Sequence, residues 1–125
     1  MTNTIELMIW DRSFLLRIEY DCYDDEKITV AQENAVKQFL SHGEFITRAK
    51  AQVEEFCREQ VQADVDNNKK DNIFSYIKPI YLFVKREAQP RVAIMCNYKY
   101  DLEHGVAIVF TADGTISVGT QDIIL

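Results

Sequence analysis

The chain has 125 residues, of which 47% are apolar and 27% charged; that is enough for one domain with its own core and excludes a disordered chain. Its formal charge is −6 with a pI near 4.9. That balance argues against nucleic acid as a direct partner, because phosphate contacts need clustered Lys and Arg, and it favours basic surfaces.

The opening stretch "MTNTIELMIWDRSF" lacks the basic start and cleavage site of a signal peptide. No apolar run approaches the roughly 20 residues of a membrane span. A cytoplasmic protein is expected. Residues 4–10 alternate, with Ile5, Leu7 and Ile9 opposite Glu6 and Met8. Residues 14–20 alternate likewise, with Leu16, Ile18 and Tyr20 opposite Arg17 and Glu19. Two half-buried strands follow from that period, joined as a hairpin through Asp11–Ser13. "EYDCYDDE" then gathers Glu19, Asp21, Asp24, Asp25 and Glu26 without a basic residue. It reads as a solvated loop or as an acidic docking patch.

Thr29 with Gln32 three residues later forms a capping box, and Ala35, Val36, Phe39 and Leu40 continue at helical spacing. Gly43 is a stop signal with His42 in the last turn. A second apolar stripe holds Ile46, Ala49, Val53, Phe56, Cys57 and Val61. The pattern is compatible with a helical hairpin or with one helix kinked at Gly43. Residues 64–72, "DVDNNKKDN", read as loop, and "IFSYI" as a short helical turn. Pro79 pushes Lys78 toward an extended conformation.

Three nearly continuous apolar runs follow at 80–85, 92–98 and 105–110, and "TISVG" alternates after an Asp-Gly turn. Such runs indicate strands covered on both faces. The helices can cover one face; loops, the N-terminal hairpin or a partner can cover the other. The expected fold is a single α+β domain over residues 1–125. Its mostly antiparallel sheet has β-β-α-α-β-β-β-β order, with two helices packed on one face.

Cys22, Cys57 and Cys96 are odd in number and lack a C-x-x-C spacing. That is against a disulfide framework or zinc knuckle and for plain thiols in a reducing compartment. The bend between the second and third apolar runs holds Asp101, Glu103, His104 and Gly105. These residue types serve metal binding or acid–base chemistry. No H-x-H or H-E-x-x-H spacing supplies a second nitrogen ligand, and no motif marks a nucleophile. A structural reading fits them: Asp101 accepts from turn amides, Gly105 takes φ > 0, and a carboxylate of Asp101 or Glu103 fixes the His104 ring. No metal and no cofactor is expected. Tyr98 and Tyr100 fall on one side of a strand end, edging the core or anchoring an interface.

The C-terminal third resembles the DUF6985-type family of small bacterial proteins. The resemblance rests on an aromatic–Asp–x–Glu–His–Gly stretch, here Tyr100, Asp101, Glu103, His104 and Gly105. It continues through "VAIVF", Gly114 and "SVGTQD" with Val118, Gly119 and Asp122. This chain has Tyr100 where tryptophan is common and Leu102 where proline is common. The resemblance implies an α+β fold, no established enzyme activity and a likeness to products of toxin–immunity loci. The expected function is a non-enzymatic, immunity-like protein that neutralises a toxin domain with a basic surface. Its candidate contacts are Asp21, Asp24, Asp25, Glu26, Tyr98 and Tyr100. The alternative is a small-ligand module or hydrolase-like enzyme using Asp101, Glu103 and His104.

Overall fold

A computed structural model describes residues 4–22, 25–61 and 73–125. The expected loop at 64–72 and the candidate Asp24 lie outside the described residues. Among the described residues six strands form one sheet in chain order: β1 (Thr4–Ile9), β2 (Arg12–Tyr20), β3 (Ile77–Val84), β4 (Val92–Tyr98), β5 (Val106–Phe110) and β6 (Ile116–Gly119). Among the described strands only the β2–β3 pairing is parallel. Its crossover contains α1 (Val30–Ser41) and α2 (Glu44–Val61). The fold is therefore α+β with a mostly antiparallel sheet, as the patterning predicts. None of the described helices is long and apolar enough to cross a membrane.

The hairpin turn is tighter than expected. Ile9 pairs with Arg12, which leaves Trp10 and Asp11 as the loop. Both have positive φ, 47° and 71°, the backbone that matches strand twist in two-residue hairpins. Tryptophan is an unusual occupant of this region. Its indole Nε1 donates to the Ile46 carbonyl at 2.8 Å, and its ring stacks on Phe74 at 5.7 Å. Tertiary contacts thus hold a conformation that local propensity does not favour.

The capping box forms as predicted. The Thr29 hydroxyl accepts from the Gln32 amide at 3.0 Å, and Gln32 Oε1 accepts from the Thr29 amide at 2.9 Å. Gln32 is fully buried. Its Nε2 donates to the carbonyls of Asp21 and Val84, both at 3.2 Å. One side chain therefore joins the helix start, the exit of β2 and the end of β3. The helical region is two helices, since His42 caps α1 and Gly43 separates it from α2. Leu40 departs from the expected stripe and is 42% exposed.

The main core lies between the helices and one face of the sheet. Val36, Phe39, Ile46, Ala49, Val53 and Cys57 meet Leu16, Leu82, Ile94 and Ile108 there. Strand β3 starts three residues before its expected position (Ile77 against Ile80), and its register shifts between Pro79 and Tyr81. That irregularity lets Ile77 and Pro79, then Leu82 and Val84, be buried despite their odd spacing. On the second face Ala93, Met95, Ala107 and Val109 lie under Ile124. The cover is the C-terminal segment, while the N-terminal hairpin extends the sheet instead. A 3₁₀ turn at Gln121–Ile123 brings the chain back, and a Cβ on Gly119 would lie 2.9 Å from Ile123.

Candidate functional site

The bend between β4 and β5 is tied by its own groups. Asp101 N–H donates to the Tyr98 carbonyl at 3.1 Å, and Gly105 N–H to the Asp101 carbonyl at 2.9 Å. The Asp101 carboxylate accepts from the His104 amide at 3.2 Å and from the ring Nδ1–H at 3.0 Å. Asp101, not Glu103, therefore orients the imidazole. The hydrogen bond to Asp101 and its negative charge raise the His104 pKa above the ordinary value, and Glu103 and Asp122 add to this. The side chain is about half exposed.

The bend also fastens the C-terminal segment. Gln121 N–H donates to the His104 carbonyl at 3.0 Å, and Gln121 Nε2 to the Cys96 carbonyl at 3.1 Å. Gly105 has φ of 60°, and a Cβ there would stand 2.6 Å from both the Cys96 carbonyl and Gln121 Nε2. Both expectations for this glycine, positive φ and close backbone approach, are met.

Chemistry at the bend has few partners. Among the described residues, no group of three or more His, Cys, Asp and Glu side chains is placed to hold a metal. Burial pushes the Cys57 thiol up to about 11 and raises that of Cys96, which makes both poor nucleophiles. A small cleft between α1, the start of α2 and the sheet includes Phe39, Phe45 and Phe110 in its lining. A shallower one runs along Glu87–Arg91 and Thr111–Ala112. Both lie at the Val92–Phe110 end of the β4–β5 pair, opposite to His104.

The structure separates the expected contact residues. Tyr98 is 1% exposed, with its hydroxyl donating to the Cys57 carbonyl at 3.4 Å. It is a core residue and cannot touch a partner. Tyr100 is 42% exposed and meets Tyr98 edge-on at 5.7 Å. The two do alternate, but Tyr98 ends the strand inside the core while Tyr100 lies beyond it. The acidic stretch is partly neutralised within the molecule. Asp21 lies 3.9 Å from Lys85 Nζ and accepts from the Arg86 amide at 3.2 Å. Glu26 lies 3.5 Å from Arg86 Nε, and Asp25 is exposed. Register puts this stretch and Tyr100 at opposite ends of the sheet: Tyr20 pairs with Val84, whereas Ile77 pairs with Tyr98.

Half of the second sheet face is left uncovered among the described residues. Leu15 is 74% and Met8 61% exposed there, beside Glu6, Arg17 and Glu19. Half-buried Tyr81 and Phe83 continue the surface toward the C-terminal cover. Arg17 lies over the Tyr81 ring at 5.2 Å. Alternation already put Met8 on the polar side with Glu6; its apolar character there was the available signal.

The DUF6985 family profile, described as a domain of unknown function, matches residues 2–125. The chain belongs to that family. No curated protein and no solved structure matches it.

Proposed function

We infer that this chain is a non-enzymatic protein-binding module of the immunity type, neutralising a bacterial toxin domain by covering its surface. The observation that carries the reading is the half-open sheet face, where Leu15 and Met8 are exposed beside Glu6. Large apolar side chains clustered on a surface and rimmed by charge mark protein interaction sites. The net charge of −6 favours a partner with a basic surface and speeds encounter with it. Met8 and Leu15 are the apolar anchors, with Glu6 and Glu19 as the charged rim. Tyr100 is an outlying contact from the same end of the sheet, and Asp25 is an exposed carboxylate of the acidic stretch.

Co-expression with each neighbouring open reading frame tests this. One of them is toxic alone, is rescued by this chain and co-purifies with it. Leu15→Glu abolishes rescue while the free protein stays folded. Absence of any rescued, co-purifying product, or full rescue by Leu15→Glu, removes the reading. The oriented Asp101–His104 pair favours the small-ligand or hydrolase-like alternative. His104→Ala separates the two: protection survives if the sheet face acts and is lost if the imidazole does.

A further inference from the structure

The two-residue turn determines which backbone groups of β1 point outward. Ile9 and Arg12 flank it and form its hydrogen-bonded closing pair. Bonded and non-bonded pairs alternate along an antiparallel ladder. Leu7–Phe14 and Ile5–Leu16 are then bonded, whereas Met8–Ser13, Glu6–Leu15 and Thr4–Arg17 are not. The N–H and C=O groups of Thr4, Glu6 and Met8 therefore face away from β2, along the outer edge of the sheet.

β1 is the terminal strand, and no described strand pairs with that edge. Natural sheets blunt such edges with proline, lysine, bulges or very short strands. The six residues of β1 contain no proline or lysine, and their pairing with β2 runs without a register shift. The opposite edge, β6, has only four residues. Glu6 accepts from the Ser13 hydroxyl at 3.0 Å and pairs with no cation among the described residues.

We propose that β1 accepts an added strand from the partner protein: an extended segment of alternating pattern with Lys or Arg opposite Glu6. This rests on the protein-binding reading and names how the partner is held. Main-chain hydrogen bonds to Thr4, Glu6 and Met8 supply affinity, and alternate side chains supply specificity. Apolar residues of the added strand extend the face of Ile5, Leu7 and Ile9, while its basic residue pairs with Glu6 beside Met8. Two copies of this chain, each at −6, repel one another, so charge favours a basic partner over a second copy.

A displayed library of random nine-residue peptides, selected on the full chain, is the test. Enriched peptides alternate in hydropathy and carry Lys or Arg at one fixed position. Met8→Pro removes only an outward N–H, which an edge strand tolerates, and it weakens these peptides at least tenfold while Met8→Leu, which keeps that N–H and an apolar side chain, does not. Glu6→Lys shifts selection toward acidic peptides. Circular dichroism confirms that each variant is folded. No enrichment, or equal binding to Met8→Pro, overturns strand addition. If Leu15→Glu abolishes peptide binding and Met8→Pro leaves it intact, the protein-binding reading stands and strand addition falls. Dimerisation of the free chain that Met8→Pro abolishes gives the edge to a second copy and also overturns the proposal.

Discussion

Gly105→Ala attacks the fastening of the bend at one atom. The backbone there has φ of 60°, and the new methyl would stand 2.6 Å from the Cys96 carbonyl and 2.6 Å from Gln121 Nε2. Left-handed backbone costs a residue with a Cβ about 1–2 kcal/mol. Relieving the overlap drives the Gln121 side chain from the Cys96 carbonyl, at about 1 kcal/mol for the lost hydrogen bond. The expected destabilisation is about 2–4 kcal/mol, against a typical domain stability of about 5–15 kcal/mol. Urea denaturation followed by circular dichroism measures it, with a lower midpoint and an unchanged slope. Amide exchange at Gln121–Ile124 rises in the same variant, because those residues lose their anchor. Gly43→Ala is the control: nothing lies within 4 Å of its Cβ position and its φ is outside the left-handed range. It stays within about 0.5 kcal/mol of the parent. A Gly105→Ala protein equally close to the parent would refute the close-approach argument.

Gln32→Met keeps length but leaves the Asp21 carbonyl and Thr29 amide without their partner, and is expected to lower stability by about 2–4 kcal/mol in the same denaturation series. His104 is expected to titrate above its ordinary value of 6.5, with Asp101→Asn lowering that midpoint, as followed by proton NMR of the imidazole. Because the folded pKa is raised, its contribution to stability is fully present below about pH 6.5 and fades as pH rises through the folded value. The stability gap between the parent and His104→Ala therefore narrows toward alkaline pH. A maleimide reagent labels half-buried Cys22 first, and Cys57 and Cys96 react only on unfolding; equal rates for all three would contradict the packing.

Much of the architecture was legible because local pattern and burial agree. β4 has the limits its apolar run predicts, since six of its seven residues are buried. The box of Thr29 and Gln32 declares the start of α1 by hydrogen-bonding chemistry confined to one turn. The parts that escaped are set by distant residues. Trp10 enters the left-handed region only because Ile46 and Phe74 hold its indole. The acidic stretch looked uncompensated because Lys85 and Arg86 lie some 60 residues downstream in the sequence. Alternation gives a side chain's direction without its depth, so Tyr98 and Tyr100 could not be told apart. That a carboxylate of the bend fixes the His104 ring was readable from the residue types, but neither the choice of Asp101 over Glu103 nor the grip of the bend on Gln121 was.

The parallel β2–β3 pairing has a consequence for how the protein assembles. β1–β2 and β3–β6 are each built from neighbours in the chain, so each can form quickly by itself. Joining them matches Arg17 with Tyr81, which closes a far longer loop before its contacts can repay the lost chain entropy. That junction is expected to be the slow step of folding and the line along which the native sheet first parts.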